Sequence, residues 1–416
     1  MAGKAMAIID QKKLYSIKLD ALRIQGIVNA PAHKSSLVRF AASFRHFQKS
    51  TREMLKIRLR AMKQGIEPKP DNLKILVHVR GGIGDVVMSR IFVSKLRQAF
   101  PDAEIDFCHD SEKIVRMVFP EHAEGILINH FQDRKYVPEN YDLVMSGCHF
   151  FMFDHYDLPR IKKYAPDYIP AFEQALEIQK CFQAFAEYSP LFDGQFSEIM
   201  VRHGYTRISA LGLFSGIDVC QEDKCCLPIS AERKKDILKK FGLKNKKFIT
   251  LHNGMNTNTK IAGAMTRNWP ENSWREFAKL FKKEYPDISI VQIGGSTSAS
   301  FDFADISLVN LTSLDDLPYI LNAALFHLDG ETGMAHLANI ADVKAIVLYG
   351  PSRAAYLAYP RNINISAENC GGCMNIDNYW MSKCILGFSK ERQCLGTIKP
   401  NTVFNAVQAY LTKIKH

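Results

Sequence analysis

Apolar positions recur at helical spacing over residues 1–70, as Leu14, Ile17 and Leu22 and then Leu37, Phe40, Phe44 and Phe47, interleaved with Lys and Arg. Pro68 and Pro70 close that stretch. From residue 73 the period switches to short apolar runs alternating with helical patterns. LKILVHV reads as a strand, residues 85–100 as a helix, EIDFCHD as a strand, SEKIVRMVF as a helix, and GILIN and YDLVMSG as strands. Residues 151–225 read as mostly helical and rich in Phe and Tyr, with few placeable signals. A second series starts near residue 246, with strands at KKFITLHNG, ISIVQIGG, LFHLDGE and AIVLYGPS. Helices are expected at PENSWREFAKLFKKEYP, SLDDLPYILNAA, TGMAHLANIAD and TVFNAVQAYLTKI.

Strands alternating with helices imply parallel sheets covered on both faces. The pattern therefore predicts an α/β chain with two doubly wound, Rossmann-like domains facing a cleft, and ligands at the carboxyl ends of the strands. The expected divisions are a helical extension over 1–70, a first domain over 71–228, a second over 229–400, and a helix over 401–416 packing back across the domain junction.

Composition adds three limits. With 47% hydrophobic and 23% charged residues the chain is of ordinary globular type. It has no run of 18 apolar residues, and its first 30 residues carry charges throughout, so neither a membrane span nor a secretory signal is supported and a cytoplasmic protein is expected. The net charge of +11 is also uneven. Residues 1–70 hold 15 Lys and Arg against 4 Asp and Glu, which leaves 39 of each sign in the remainder. Such a basic amphipathic extension can lie on an anionic membrane surface or dock on a partner, or it can cap the core with a solvated basic face. No nucleic-acid-binding module accompanies it.

The candidate chemistry begins with VRGGIGDVVMSR, a glycine-rich turn between a strand and a helix. Such turns usually bind phosphate on backbone N–H groups, yet Asp85 stands where a phosphate would sit and would repel it. Gly81, Gly82 and Gly84 would let a substrate approach the backbone closely. Asp85 suits the general base that a transfer to a hydroxyl requires, and equally suits a first-turn helix cap. In DGETGMAHLANI a helix begins near Thr332 and Gly333, so its free N–H groups would face an anion such as a diphosphate. Cys370, Cys373, Cys384 and Cys394 are separated by two, ten and nine residues, a spacing that can close a structural Zn or Fe site or can simply hold reduced thiols. The other six cysteines show no metal-like spacing apart from one adjacent pair.

Taken in order, VRGGIGDVVMSR with FPDAEIDF, then TRNWPENSW, then DGETGMAHLANIADVKAIVLYGPS, then the cysteine cluster followed by IKPNTVFNAV, the chain resembles the heptosyltransferases, the GT-B enzymes of glycosyltransferase family nine, over roughly residues 73–410. The resemblance implies that Asp85 is the catalytic base and that the first domain binds the acceptor. It implies that Arg267, Glu331, Thr332, Gly333 and His336, with Gly350, Pro351 and Ser352, line the site of an ADP-activated sugar. The family usually carries Asp where this chain has Glu331, and commonly Lys where it has Arg267. An inverting transfer of heptose or a related sugar to a lipopolysaccharide core acceptor would follow, with no cofactor for catalysis. The basic extension would then sit at the inner face of the cytoplasmic membrane. A protein acceptor, as in the similar autotransporter-modifying branch with its four-cysteine iron finger, and a non-catalytic sugar-nucleotide-binding protein are the other readings. The sequence leaves the oligomeric state open.

Overall fold

The computed structural model describes residues 6–29, 68–122, 126–128, 136–187, 193–253, 265–296, 298–368, 370–376, 380–381, 383–389 and 394–415. Leu37, Phe40, Phe44 and Phe47, and with them most of the basic extension, lie outside the described residues.

Two sheets carry the chain. The first contains β1 (Lys74–Val79), β2 (Glu104–His109), β3 (Ile126–Ile128), β4 (Leu143–Gly147) and β5 (Phe151–Tyr156), in the order β3-β2-β1-β4-β5. All its pairings are parallel except β4 with β5. The second contains β6 (Phe248–Leu251), β7 (Ser289–Gln292), β8 (Ile306–Ser307), β9 (His327–Gly330), β10 (Ala345–Tyr349) and β11 (Ile363–Ser366), all parallel, in the order β11-β10-β9-β6-β7-β8. The inner strands are buried on both faces, as the near-continuous apolar runs KILVHV and AIVLY require. Strand β5 gives no clear strand signal, because FMFDHY lacks alternation and lies at a sheet edge inside a stretch otherwise rich in helical spacing.

Each sheet changes direction at its middle. The chain leaves β1 toward β2 and β3, then crosses to β4 on the other side. It leaves β6 toward β7 and β8, then crosses to β9. The crevices at the ends of β1 and of β6 with β9 are therefore switch points, where doubly wound sheets bind ligands.

The helices that matter for the site follow in chain order: α1 (Gln11–Asn29), α2 (Ile83–Ala99), α3 (Ile169–Cys181), α4 (Asp193–Arg202), α5 (Arg207–Leu213), α6 (Glu271–Glu284), α7 (Gly333–Ile340), α8 (Ala354–Leu357) and α9 (Pro400–Lys415). Helix α1 buries Leu14, Ile17 and Ala21 against α3 and α4, each Leu or Ile contributing about 1.5–3 kcal/mol. The preceding segment is tied down as well, because Gln174 accepts from the Ile9 N–H and donates to the Ile9 carbonyl, both at 2.7 Å. Helices α2 and α7, which start at the two switch points, pack directly on each other. This contact joins the two halves.

Helix α9 packs on the second half. Val403, Val407 and Leu411 form a stripe at i, i+4 and i+8 that meets the Trp274, Phe277 and Phe281 face of α6. That aromatic surface covers the second sheet, so the closing helix is anchored there.

Candidate active site

Strand β1 delivers Asp85. Beyond Val79 the Arg80 N–H donates to the Gly147 carbonyl at 2.8 Å, so the ends of β1 and β4 stay together. Gly81 then takes φ +120°, a left-handed conformation that L side chains avoid, and a Cβ there would strike the Asp85 carboxylate. The turn closes when Asp85 Oδ2 accepts from the Gly82 N–H at 2.8 Å, which is the capping role open to this residue from the sequence. The second oxygen is engaged elsewhere.

Asp85 Oδ1 accepts from Arg207 Nη2 at 2.5 Å. Arg207 opens α5, whose first turn is held by a reciprocal pair between Thr206 and Ser209. The guanidinium also donates to the Cys148 carbonyl at 2.8 Å and to His149 Nδ1 at 2.9 Å. His149 Nε2 in turn lies 3.1 Å from Asp193 Oδ2 at the start of α4. Burial by itself would raise the Asp85 carboxyl. Arg207 and the Gly82 N–H outweigh it and hold the group below the ordinary carboxylate range. The neighbouring Cys148 thiol is pushed far up by burial and by Asp85, so it stays protonated.

Glu331 organises the opposite loop at the end of β9. Its Oε1 accepts from His336 Nε2 at 3.1 Å, and its Oε2 accepts from Ser352 Oγ at 2.7 Å and Arg267 Nη2 at 2.5 Å. Arg267 also donates to the Glu331 carbonyl, and its guanidinium lies 5.7 Å from the centre of the Trp380 ring. Burial opposes the charge, but Arg267, His336 and Ser352 together hold the Glu331 carboxyl well below its usual range. Because Nε2 of His336 faces a carboxylate it carries the proton, and Nδ1 accepts from the Tyr359 hydroxyl at 3.0 Å. Both ring nitrogens are therefore committed.

Under this loop lies a second buried cluster. Thr332 caps α7 by accepting from the Met334 N–H at 3.1 Å and donates its hydroxyl proton to Asp329. Asp329 also meets His252 Nδ1 at 3.0 Å and, at 3.5 Å, His327 Nε2. Burial would raise the Asp329 carboxyl, but the two imidazoles lower it.

The structure thus brings Arg267, His336 and Ser352 together on the Glu331 carboxylate, with Thr332 next to Glu331 in the chain and bonded to Asp329. Gly81 and Gly82 shape the Asp85 turn, whereas Gly84 and Gly333 are where the two loops touch. Gly350 is closely packed as well, since a Cβ there would come 2.6 Å from Leu395 Cγ and 3.0 Å from Cys394 Sγ. Arg207, His149, Asp193 and His252 lie outside the residues that the sequence singles out. His252 stands directly after the β6 strand pattern, and that position was a usable signal. Arg207 and Asp193 lie in the helical region without motifs, and nothing in the sequence links them to Asp85.

The four-cysteine expectation fares differently. Burial, then the nearby Cys370, Cys373 and Cys384 thiols, push the Cys394 thiol up to about 12, so the four do share one neighbourhood. Among the described residues, however, no three His, Cys, Asp or Glu side chains converge as a metal-holding group. The spacing alone does not create the tetrahedral convergence that Zn or Fe requires.

No protein-family model matches this chain, and no curated protein does. Solved structures match its fold. They include the ADP-heptose lps heptosyltransferase II of E. coli, at 16% identity and TM-score 0.52 over 83% of this chain and 100% of that one. The glycosyl transferase family 9 protein of Veillonella parvula DSM 2008 matches at 16% identity and TM-score 0.50, over 83% and 99%. The iron-containing dodecameric glycosyltransferase TibC of enterotoxigenic E. coli H10407 matches at 11% identity and TM-score 0.50, over 83% and 78%. The chain has the GT-B fold of these glycosyltransferase structures.

Proposed function

We propose that this protein is an inverting glycosyltransferase that moves heptose, or a closely related sugar, from an ADP-activated donor to a lipopolysaccharide core acceptor. The observation that carries this reading is the meeting of the Asp85 turn and the Glu331–His336 loop at the contact of two switch points. A turn carrying an ionised carboxylate from one half packs on a polar loop from the other. A structure of the same fold bears the name ADP-heptose lps heptosyltransferase II, which supplies the donor and acceptor classes for the proposal.

The chemistry requires one proton acceptor and one anion site. The acceptor oxygen attacks the anomeric carbon from the face opposite the leaving group, and its proton passes to Asp85. The bond from carbon to the diphosphate oxygen breaks with its electron pair on ADP. Arg267, whose buried Nε has no partner among the described residues, and the N-terminus of α7 would meet the growing negative charge. Glu331 fixes Arg267 and His336 in place for this, a reach that an Asp side chain would not have. Residues 1–70 would dock the enzyme at the inner face of the cytoplasmic membrane, where a lipid-linked acceptor resides. Among the described residues no helix is long and apolar enough to cross a membrane.

The test is incubation of the purified protein with ADP-heptose and heptose-deficient lipopolysaccharide, read by mass spectrometry of the lipid and of intact protein. Wild type should add one sugar to the lipid, and Asp85→Ala should bind ADP yet transfer nothing. Equal transfer by both proteins would remove Asp85 from the mechanism, and sugar on protein would move the acceptor class.

A further inference from the structure

Asp85 is one end of a four-residue chain, and the other members lie outside every motif in the sequence. We infer that Arg207 is the positioning residue of Asp85, and that His149 and Asp193 fix Arg207 in turn. The inference rests on the reading of Asp85 as the base.

The direction of each hydrogen bond follows from donor chemistry. Arginine only donates, so His149 Nδ1, 2.9 Å from Arg207 Nη1, must present its lone pair. The imidazole proton then sits on Nε2 and is donated to Asp193 Oδ2 at 3.1 Å. Polarity diverges from Arg207, which donates to Asp85 on one side and to His149 on the other, and His149 donates onward to Asp193. Arg207 is almost wholly buried, at 5% side-chain exposure, and its Nη2 is shared between Asp85 Oδ1 and the Cys148 carbonyl. With two fixed acceptors and a fixed imidazole, the guanidinium has one orientation. Asp85 is consequently held by Arg207 on Oδ1 and by the Gly82 N–H on Oδ2, with the protonated Cys148 thiol as a further hydrogen-bond partner.

The groups facing Asp85 come from every element packed on it. Gly82 lies in its own turn, Cys148 and His149 follow β4, Asp193 starts α4, and Arg207 starts α5. From the second half come Tyr356 and Tyr359, both kept protonated by burial. Arg207 is the one arginine or lysine in that set. Without it, a largely buried carboxylate would keep its desolvation cost and lose its partner, and would take up a proton before any acceptor arrived. An amide or alkyl side chain cannot replace it, and Lys would supply charge without the planar fork.

A double-mutant cycle tests this without substrate. Thermal unfolding of wild type, Asp85→Asn, Arg207→Gln and the double variant is followed from pH 8 down to about pH 4, the ordinary carboxylate range. Near neutrality Arg207→Gln should lower Tm much more in the wild-type background than beside Asp85→Asn, and the difference should close on acidification. Tm changes that simply add at all pH values would overturn the inference. In the heptose-transfer assay Arg207→Gln should lower kcat on the order of 100-fold at neutral pH. It should also move the acid limb of the kcat profile upward with KM for ADP-heptose unchanged, while Arg207→Lys should keep that limb low. An equal loss at every pH would also overturn it. If wild type transfers no heptose, the enzymatic reading fails and the thermal cycle alone decides the role of Arg207.

Discussion

A Cβ atom added to Gly84 would lie 2.6 Å from Cδ2 of His336. The glycine of one half thus supports the imidazole that the other half uses to hold Glu331. Gly333 repeats the relationship from the opposite side, with a Cβ there 3.1 Å from Cβ of Ile83. The two loops therefore form one packed unit. A residue change in either loop reaches both.

Gly84→Ala should accordingly be costly although it lies on a helix, where alanine is otherwise favoured. Displacing a ring committed at both nitrogens is expected to cost about 1–3 kcal/mol, read by urea denaturation, and to raise KM for the donor. Gly82→Ala is the matched control. A Cβ there meets nothing within 4 Å, so a change within about 0.5 kcal/mol is expected. Equal costs for the two variants would refute the packed-unit account.

Glu331 gives a pH signature of definite sign. Its carboxyl is held below the unfolded-state value, so its stabilisation is complete above the ordinary carboxylate range and fades as pH falls toward the folded value. Glu331→Gln removes one partner of a buried ion pair and should cost about 3–5 kcal/mol near neutrality. Stability curves for the two proteins should converge on acidification. Parallel curves from neutral to acidic pH would show that the ion pair with Arg267 contributes nothing.

Asp329 supports α7 from below. Asp329→Ala would leave the Thr332 hydroxyl and the buried His252 imidazole without their shared acceptor. Loss of such a buried group is expected to cost about 3 kcal/mol and to weaken ADP binding through the loosened helix start. Calorimetry with ADP measures the second effect directly, and an unchanged affinity would confine Asp329 to stability.

The cysteines should separate by reactivity. Native alkylation near pH 8 with peptide mapping should modify the exposed Cys220 early. Cys394, buried and with its thiol pushed up to about 12, should react only on unfolding, because the thiolate is the nucleophile. Early labelling of Cys394 would contradict its placement against Gly350.

The sequence by itself determined the class of fold and the two loops. Alternating apolar runs and helical periods exist only because parallel strands must be covered on both faces, so that architecture is written locally. The Asp85 turn, Glu331, Arg267 and His336 were legible for a related reason: residues at strand ends and helix starts leave short, ordered motifs. What the tertiary structure decided is everything that depends on chain segments far apart. Asp85 and Arg207 are separated by 122 positions, and no local pattern encodes their contact. The same holds for His252 with Asp329 and for Gly84 with His336, which lie 77 and 252 positions apart. The closing helix shows the limit most simply. Its apolar stripe stated that it packs on something, but the stripe has no address, and only the aromatic face of α6 settled where. The four cysteines teach the converse, since a suggestive spacing fixes neighbourhood along the chain and leaves convergence in space to the fold.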